Sequence, residues 1–165
     1  MNIKYNVNEI SKNGLYRIGA GAVIEKNGLI FCAYRSDANY MNTCNTLSLP
    51  QGGVEDGEDI NKAVFREIFE ETGILESKLE FIRHTENWIY YDVPRKFGEN
   101  IGNKRGQTHI WFHFKFLGSD EDVDLNIGFP EFSDFFWKKP QEIVELSIDF
   151  KQSVHRQVFT EFGML

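Results

Sequence analysis

The chain has 165 residues, of which 41% are hydrophobic, and its formal net charge is −7 at pH 7. This composition is typical of a globular protein with a substantial core and excludes a disordered chain. The acidic balance argues against non-specific binding to long nucleic acid, DNA included, because such binding needs many Lys and Arg contacts to phosphate.

The length predicts a single domain over residues 1–165. The two cysteines, Cys32 and Cys44, have no metal-type spacing and are too few for a disulfide framework, which favours a reducing compartment. No apolar segment resembles a signal peptide or approaches the roughly 18–20 residues that span a membrane. We therefore expect a soluble, cytoplasmic protein with no membrane partner.

Periodicity and turn signals predict a series of strands around one central helix. A hairpin at Asn27-Gly28 joins the first two strands, and Gly163 follows the last helix. In chain order we predict a strand over 16–25, a strand over 29–34, a loop over 36–46, a helix ending before Gly73, one or two strands within 79–91, a polar loop over 92–106, a half-buried strand over 107–117, an acidic loop over 118–134, a strand over 135–138 and a helix over 147–162. This order suggests a mixed sheet with helices packed on its faces, an α+β fold.

The central helix carries a cluster of carboxylates near its C-terminus. At 100° per residue, Glu71 lies about 40° to one side of Glu67 and Glu70 about 60° to the other. The opposite side carries Val64, Phe65, Ile68, Phe69 and Thr72. Like charges at this spacing cost a few tenths of a kcal/mol each, and they oppose the helix dipole.

One reading of this cluster is a solvated acidic face. The other is a site for a hard divalent cation such as Mg²⁺, which binds oxygen ligands and bridges carboxylates to substrate phosphates. Arg66 offsets only one of the three negative charges, so the cluster favours the metal site.

The spacing around this helix resembles the Nudix box over residues 52–74, with every position matched by Gly52, Glu58, Arg66-Glu67-Ile68, Glu70-Glu71 and Gly73-Ile74. The resemblance implies the Nudix fold, an α/β/α sandwich with a central mixed sheet. It also implies Mg²⁺-dependent hydrolysis of a diphosphate link, with Mn²⁺ as a substitute. By position, Glu67 and Glu71 would be metal ligands, and Glu70 would ligate the metal or position the water. The Gly52 carbonyl would complete the metal shell. Glu58 and Arg66 would brace one another, and Gly73 would end the helix.

Flanking segments resemble the bacterial RNA pyrophosphohydrolases and the related dinucleoside polyphosphate hydrolases. The matching residues are Tyr16-Arg17, Leu49-Pro50-Gln51-Gly52-Gly53, Trp88, Tyr91, Pro94, Arg105-Gly106-Gln107, Trp111-Phe112, Pro130-Glu131-Phe132, Phe150-Lys151, Val154, Arg156 and Glu161-Phe162. The chain departs from that pattern at Ile18, at Thr108-His109 and at Phe135.

This closer resemblance implies removal of diphosphate from the 5′-triphosphate end of RNA. Glu131 would be a fourth carboxylate, as metal ligand or general base, beside Glu67 and Glu70. Substrate phosphates and bases would contact Arg17, Arg35, Gln51, Tyr91, Gln107, Phe150 and Lys151. An alternative substrate is a diadenosine tetra- or pentaphosphate. A third reading is a binding module without turnover, against which the complete set of glutamates argues.

Other chemistry-bearing residues have simpler interpretations. Asp120, Asp122, Asp124 and Glu131 have calcium-loop spacing, but Leu125 stands where such a loop needs glycine, which favours a solvated loop. His109 and His113 lie on one strand face, where packing or solvent exposure is favoured over zinc binding. His155 is predicted at the surface and Cys32 in the core. Arg17, Arg35 and Lys151 could be ordinary surface charges, and Phe150 ordinary core.

Overall fold

The computed structural model describes residues 2–36, 46–97 and 101–165. These ranges contain four α-helices: α1 (Val7–Ile10), α2 (Ile60–Thr72), α3 (Pro140–Leu146) and α4 (Asp149–Glu161). They also contain eight strands: β1 (Tyr16–Lys26), β2 (Leu29–Arg35), β3 (Leu47–Ser48), β4 (Gln51–Gly53), β5 (Leu79–His84), β6 (Ile89–Asp92), β7 (Gly106–Phe116) and β8 (Phe132–Lys138). No helix within those ranges is long and apolar enough to cross a membrane.

The strands form one mixed sheet. Its main path is β3-β2-β1-β7-β5, while β4 pairs with β1, β6 with β7 and β8 with β2. The pairing of β1 with β7 is parallel and runs from Tyr16↔Gly106 to Glu25↔Lys115. The remaining named pairs are antiparallel. This pairing places the start of β1 beside the start of β7, and the candidate site lies at that end.

Helices cover both faces of the sheet. On one face, α2 packs Ile60, Val64 and Ile68 against β1, β2 and β7. On the other face, α3 and α4 pack a second apolar cluster that includes Trp111 and Phe159. Helix α2 thus removes one face of the sheet from water, and α3 and α4 remove the other. This burial of apolar surface is the dominant favourable contribution to folding. The predicted α/β/α arrangement with a mixed sheet is therefore confirmed.

The burial of β7 differs from the prediction. Its residues 108–114 are all buried, so the prediction of a half-buried strand is wrong. Alternation along the strand does not separate core from solvent here, because Phe112 and Phe114 pack under α2 while Trp111 lies under α4.

Most predicted elements agree with the structure. The hairpin turn has positive φ at Asn27 (54°) and Gly28 (78°), as a two-residue turn of this type requires. The elements α1, α3, β3 and β4, all of which are short, were not predicted. Strand β8 begins at Phe132, three residues before the predicted start at Phe135. Of the loops, residues 37–45 and 98–100 lie outside the described residues, while Arg95–Phe97 and Asp120–Asp122 form 3₁₀ turns.

Candidate active site

Helix α2 presents the carboxylate cluster because both of its ends are defined. Asp59 caps the N-terminus by accepting a hydrogen bond from the Asn61 backbone N–H at 2.8 Å. Gly73 ends the helix in the left-handed region, at φ 71°, and its N–H donates to the Phe69 carbonyl. These ends place the glutamates in the last two turns. Phe69, predicted on the apolar side of the helix, is 39% exposed.

Arg66 joins the helix to the preceding loop. Its Nε and Nη2 atoms donate to the two oxygens of Glu58 at 2.7 and 2.9 Å. A further bond from Nη2 reaches the Gly53 carbonyl at 2.9 Å, and Nη1 contacts Glu67 at 2.7 Å and Glu70 at 3.2 Å. The hydrogen bonds from Arg66 lower the pKa of Glu58. One guanidinium thus holds the loop, the helix and two of the clustered carboxylates.

Glu67 and Glu71 are withdrawn from solvent. The Glu67 side chain is 13% exposed, and Glu71 is 3% exposed and accepts the Gln51 backbone N–H at 2.9 Å. Burial raises the pKa of both carboxyls, only partly opposed by Arg35 at Glu71 and by Arg66 at Glu67. Glu70 remains exposed. A solvated acidic face therefore does not describe this cluster, because neighbouring buried carboxylates need a cation or a proton.

The backbone of Gly52 lies directly against the Glu67 carboxylate. A Cβ at residue 52 would overlap this carboxylate. Carboxylate oxygens beside a backbone carbonyl match the donors that Mg²⁺ prefers. In the described ranges, no three His, Cys, Asp or Glu side chains converge closely enough to hold one ion as they stand. Glu67 is turned to Arg66, and Glu131 contacts Arg35 at 3.3 Å. The donor set fits Mg²⁺ chemically, and binding would require these two carboxylates to exchange arginine for metal.

The carboxylates open onto a cleft of about 340 Å³. Every substrate-contact residue that the sequence analysis named lines it, together with Gly52 and three of the four predicted metal-ligand glutamates: Arg17, Arg35, Gln51, Gly52, Glu67, Glu70, Tyr91, Gln107, Glu131, Phe150 and Lys151. Glu71 lies beneath this lining. Gly53, Val93 and Phe97 also line the cleft but were not predicted as site residues. Only Gly53 could have been found from the sequence, since it follows the first glycine of the box.

Three cationic residues reach the cleft from different elements. Arg17 comes from β1 and its guanidinium packs against Gly53, where a Cβ would overlap it. Arg35 ends β2 and its side chain is 9% exposed. Lys151, in the first turn of α4, is 4% exposed. Arg35 and Lys151 are therefore not ordinary surface charges.

Aromatic rings form another wall of the cleft. Tyr91 lies between His109, with ring centroids 5.7 Å apart at 14°, and Phe150, at 6.3 Å and 22°. The Tyr91 hydroxyl accepts from Gln51 Nε2 at 2.8 Å and donates to Gln107 Oε1 at 3.2 Å. This stack joins the core to the cleft. Phe150 is half-buried rather than ordinary core and also packs against Phe97, with ring centroids 5.4 Å apart at 38°.

In the described part of the chain, His109 and His113 do not converge with a third His, Cys, Asp or Glu side chain. His109 is fully buried, and neither ring nitrogen has a hydrogen-bond partner among the described residues. Burial, assisted by Lys151 and Arg17, lowers the pKa of His109 to about 3. His113 instead bonds Glu25 through Nε2 at 2.7 Å.

His155 is completely buried, so the prediction of a surface position is wrong. Its Nδ1 lies 2.7 Å from the Ser147 hydroxyl, and its ring meets Trp111 edge-on at 5.8 Å. Helix α4 packs on the sheet. His155 follows the buried Lys151 by one helical turn and therefore faces the same buried side. Burial lowers the pKa of His155 to about 3. Cys32 is buried as predicted.

The aspartates of the calcium-like spacing are occupied with local contacts. Asp120 accepts from Trp137 Nε1 at 2.9 Å, and Asp122 accepts the Ser119 backbone N–H at 2.9 Å. Asp124 accepts the Asn126 N–H at 2.9 Å. These bonds agree with a solvated loop.

Comparison with known proteins identifies the family. The family model described as the NUDIX domain matches residues 15–162. The chain is 38% identical to the RNA pyrophosphohydrolase of Dinoroseobacter shibae, over 90% of this chain and 92% of that protein. It is 36% identical to the RNA pyrophosphohydrolase of Zymomonas mobilis, over 90% and 95%.

The fold also matches solved structures. An Ap4A hydrolase of C. elegans superposes with a TM-score of 0.64 at 20% identity, covering 90% of this chain and 99% of that one. The dihydroneopterin triphosphate pyrophosphohydrolase of E. coli superposes with a TM-score of 0.61 at 18% identity, covering 88% and 99%. At such identities the likeness concerns the fold alone. With its complete Nudix box, its matched family model and its relatives above 30% identity, this chain belongs to the Nudix hydrolases and is a pyrophosphohydrolase that acts on acid anhydrides.

Proposed function

We propose that residues 1–165 form a single Nudix domain that removes diphosphate from the 5′-triphosphate end of RNA in a Mg²⁺-dependent reaction. The observation that carries this proposal is the composition of one cleft. Glu67, Glu70 and Glu131 line it above the buried Glu71, together with three cationic residues and an aromatic stack. A triphosphate bearing a base needs these three kinds of contact. The RNA pyrophosphohydrolases at 34–38% identity support the same substrate class.

We assign the metal to the carboxylate side of the cleft. Glu67, Glu70, Glu71, Glu131 and the Gly52 carbonyl would hold Mg²⁺. When bound, the ion supplies charge neutralisation on the phosphates and orientation of the attacking water. Arg66 and Glu58 hold the helix and the preceding loop so that these oxygens stay together.

The cationic residues bind the substrate phosphates. Arg35 and Lys151 are largely buried, where a cation interacts with phosphate more strongly than in water. Arg17, which is packed against Gly53, would contact the same substrate phosphates. Phosphate oxygens would draw Arg35 away from Glu131, which frees that carboxylate for its own role.

The aromatic wall places the first bases. Phe150 offers a face to a base, and stacking of this kind contributes about 1–3 kcal/mol per base. The hydrogen bonds among Gln51, Tyr91 and Gln107 hold the ring beneath it. A base held there leaves the attached triphosphate pointing toward the carboxylates.

The proton of the attacking water passes to a carboxylate oxygen. Glu131 is half-exposed at the rim and Glu70 is exposed on α2, so both are open to water, and either serves as the acceptor. Attack on phosphorus breaks one anhydride link. The products are RNA with a 5′-monophosphate and free diphosphate.

The test compares two substrates with purified protein and Mg²⁺. We expect kcat/KM for a 5′-triphosphate RNA to exceed that for diadenosine tetraphosphate by at least tenfold. The reverse preference would assign the enzyme to dinucleoside polyphosphates, which carry the same anhydride with a second nucleoside in place of the RNA chain. Absence of turnover on both by folded protein would favour the binding module.

A further inference from the structure

A second cleft, of about 770 Å³, continues from the mouth of the active site. Val93 lines both clefts, so they meet at the end of β6. The second cleft lies between the segment that follows β6 and the segment that precedes β7. Its described lining consists of residues 92–95 and 101–105 together with Leu15.

The charge of this cleft is opposite to that of the protein. The chain carries a net charge of −7, yet among the described residues Arg95, Lys104 and Arg105 line the cleft against one acidic residue, Asp92. A concentration of cations on an acidic protein points to an anionic ligand at that place.

Arg105 is held in position for such a ligand. Its Nε donates to Asp92 Oδ2 at 2.8 Å, and the other Asp92 oxygen accepts from the Tyr16 hydroxyl at 2.8 Å. The two Nη groups have no hydrogen-bond partner within the described ranges. An arginine fixed by Nε presents a two-pronged donor to a phosphate without further ordering of its side chain.

The other two cations flank Arg105. Lys104 is anchored to the Gly14 carbonyl through Nζ at 3.0 Å. The Arg95 side chain makes no hydrogen bond or ion pair with the residues that the structure describes. It is exposed on the 3₁₀ turn between the two clefts. Arg95, Lys104 and Arg105 thus line the cleft that continues from the active site at Val93.

We propose that this basic cleft binds the phosphodiester backbone of the RNA downstream of its first nucleotides. The proposal rests on the proposed function, because it extends the same bound substrate. A dinucleoside polyphosphate has no further phosphodiesters and would leave the cleft unused. Binding here makes the enzyme favour the end of an RNA chain over free nucleotides.

The test uses two substrates that share their first two bases: a 5′-triphosphate dinucleotide and a 5′-triphosphate single-stranded decanucleotide. We expect the wild-type kcat/KM to be about tenfold higher for the decanucleotide, from one or two charge-assisted contacts. Arg95→Ala should abolish most of that advantage and leave the dinucleotide rate within twofold. Because Arg95 is exposed and unpaired within the described ranges, folding should be unaffected.

Lys115→Ala is the matched control. It removes the same charge from the same protein, but Lys115 is exposed near the far end of β7, about 30 Å along the strand from Gly106. We expect it to keep the length preference. Direct binding supplies a second readout: for a 5′-monophosphate decanucleotide, Arg95→Ala should reduce the slope of log K against log salt concentration by about 0.7, the value for one phosphate contact on a single strand.

The outcomes are distinguishable. Equal wild-type rates on both RNA lengths would overturn the cleft and leave the proposed function intact. Equal loss on both lengths in Arg95→Ala, or an equal loss of length preference in Lys115→Ala, would also overturn it. Absence of turnover on every 5′-triphosphate RNA would overturn the proposed function and the basic cleft together.

Discussion

The imidazole of His109 lies flat against the ring of Tyr91, with centroids 5.7 Å apart and an interplanar angle of 14°. Tyr91 in turn stacks on Phe150 and holds Gln51 and Gln107 through its hydroxyl. A fully buried ring therefore supports the wall against which a substrate base would lie.

The stacking of His109 on Tyr91 predicts that loss of the His109 ring changes KM more than kcat. His109→Leu keeps most of the volume but loses the ring, and a ring pair contributes about 0.5–1.5 kcal/mol. We expect KM for triphosphate RNA to rise about fivefold, while kcat changes less than threefold because the carboxylates are untouched. His109→Phe restores a neutral ring and should restore KM. Identical kinetics for the Leu and Phe variants would contradict a role for the stack.

Glu71→Gln tests the metal assignment. The substitution keeps the shape and the acceptor for the Gln51 N–H, so the melting temperature without metal should stay within a few degrees. Loss of the charge should lower kcat at least a hundredfold and remove the stabilisation that Mg²⁺ gives to the wild type. Normal turnover, or an unchanged Mg²⁺-induced rise in melting temperature, would show that Glu71 is not a ligand.

Two adjacent glycines make a matched pair of predictions. A Cβ at Gly52 would overlap the Glu67 carboxylate, whereas a Cβ at Gly53 would overlap the Arg17 guanidinium. Gly52→Ala should therefore weaken Mg²⁺ activation, measured as the Mg²⁺ concentration at half-maximal rate. Gly53→Ala should instead raise KM with little change in that concentration. The same defect in both variants would indicate a general loss of loop structure rather than two separate contacts.

Lys151→Met tests the phosphate-binding wall. Methionine keeps the buried stem and removes the charge. We expect kcat/KM to fall about tenfold or more for triphosphate RNA and for free nucleoside triphosphates, because both carry the phosphates that Lys151 would contact. Unchanged kcat/KM on both substrates would contradict this contact. Because Lys151 helps to lower the pKa of His155, the variant should also raise that pKa, which NMR titration of the imidazole would detect.

Stability should fall in mild acid because His155 is buried and neutral. The pKa of this group is about 3 in the folded protein and about 6.5 in an unfolded chain. The unfolded state therefore binds the proton first. The stabilisation is fully present above pH 6.5 and is lost as pH falls through the window from 6.5 towards 3.

The expected slope is up to about 1.4 kcal/mol of unfolding free energy per pH unit for this one group. Urea unfolding between pH 7.5 and 5 measures it. His155→Asn should flatten the dependence, whereas His84→Asn, on the partly exposed strand β5, serves as control. An equally steep loss in His155→Asn would assign the acid sensitivity to other groups, His109 included.

Short-range features of this molecule were predictable from the residue order. The Asn27-Gly28 turn, the helix end at Gly73 and the spacing of Glu67, Glu70 and Glu71 involve neighbours along the chain. Local sterics, hydrogen bonds and helical periodicity decide such features. The short helix α3 escaped prediction because seven residues give too little periodicity.

Long-range features were not predictable in the same way. The alternation of apolar and polar residues in β7 indicated one solvent-exposed face, but the packing of α4 buries that face. His155 looked like a surface residue until α4 was placed across the sheet. The gathering of Arg17, Arg35 and Lys151 in one cleft was suggested by resemblance to a family and not by any pattern in the chain.

The sequence by itself determined the Nudix helix, its carboxylate spacing and the family, since these depend on residues within about one helix length of each other. Only the tertiary structure decided which carboxylates lose their water, which arginines face them and which rings line the cleft. Burial is a property of the surfaces that pack together, and parallel pairing of β1 with β7 brings together residues about 90 positions apart.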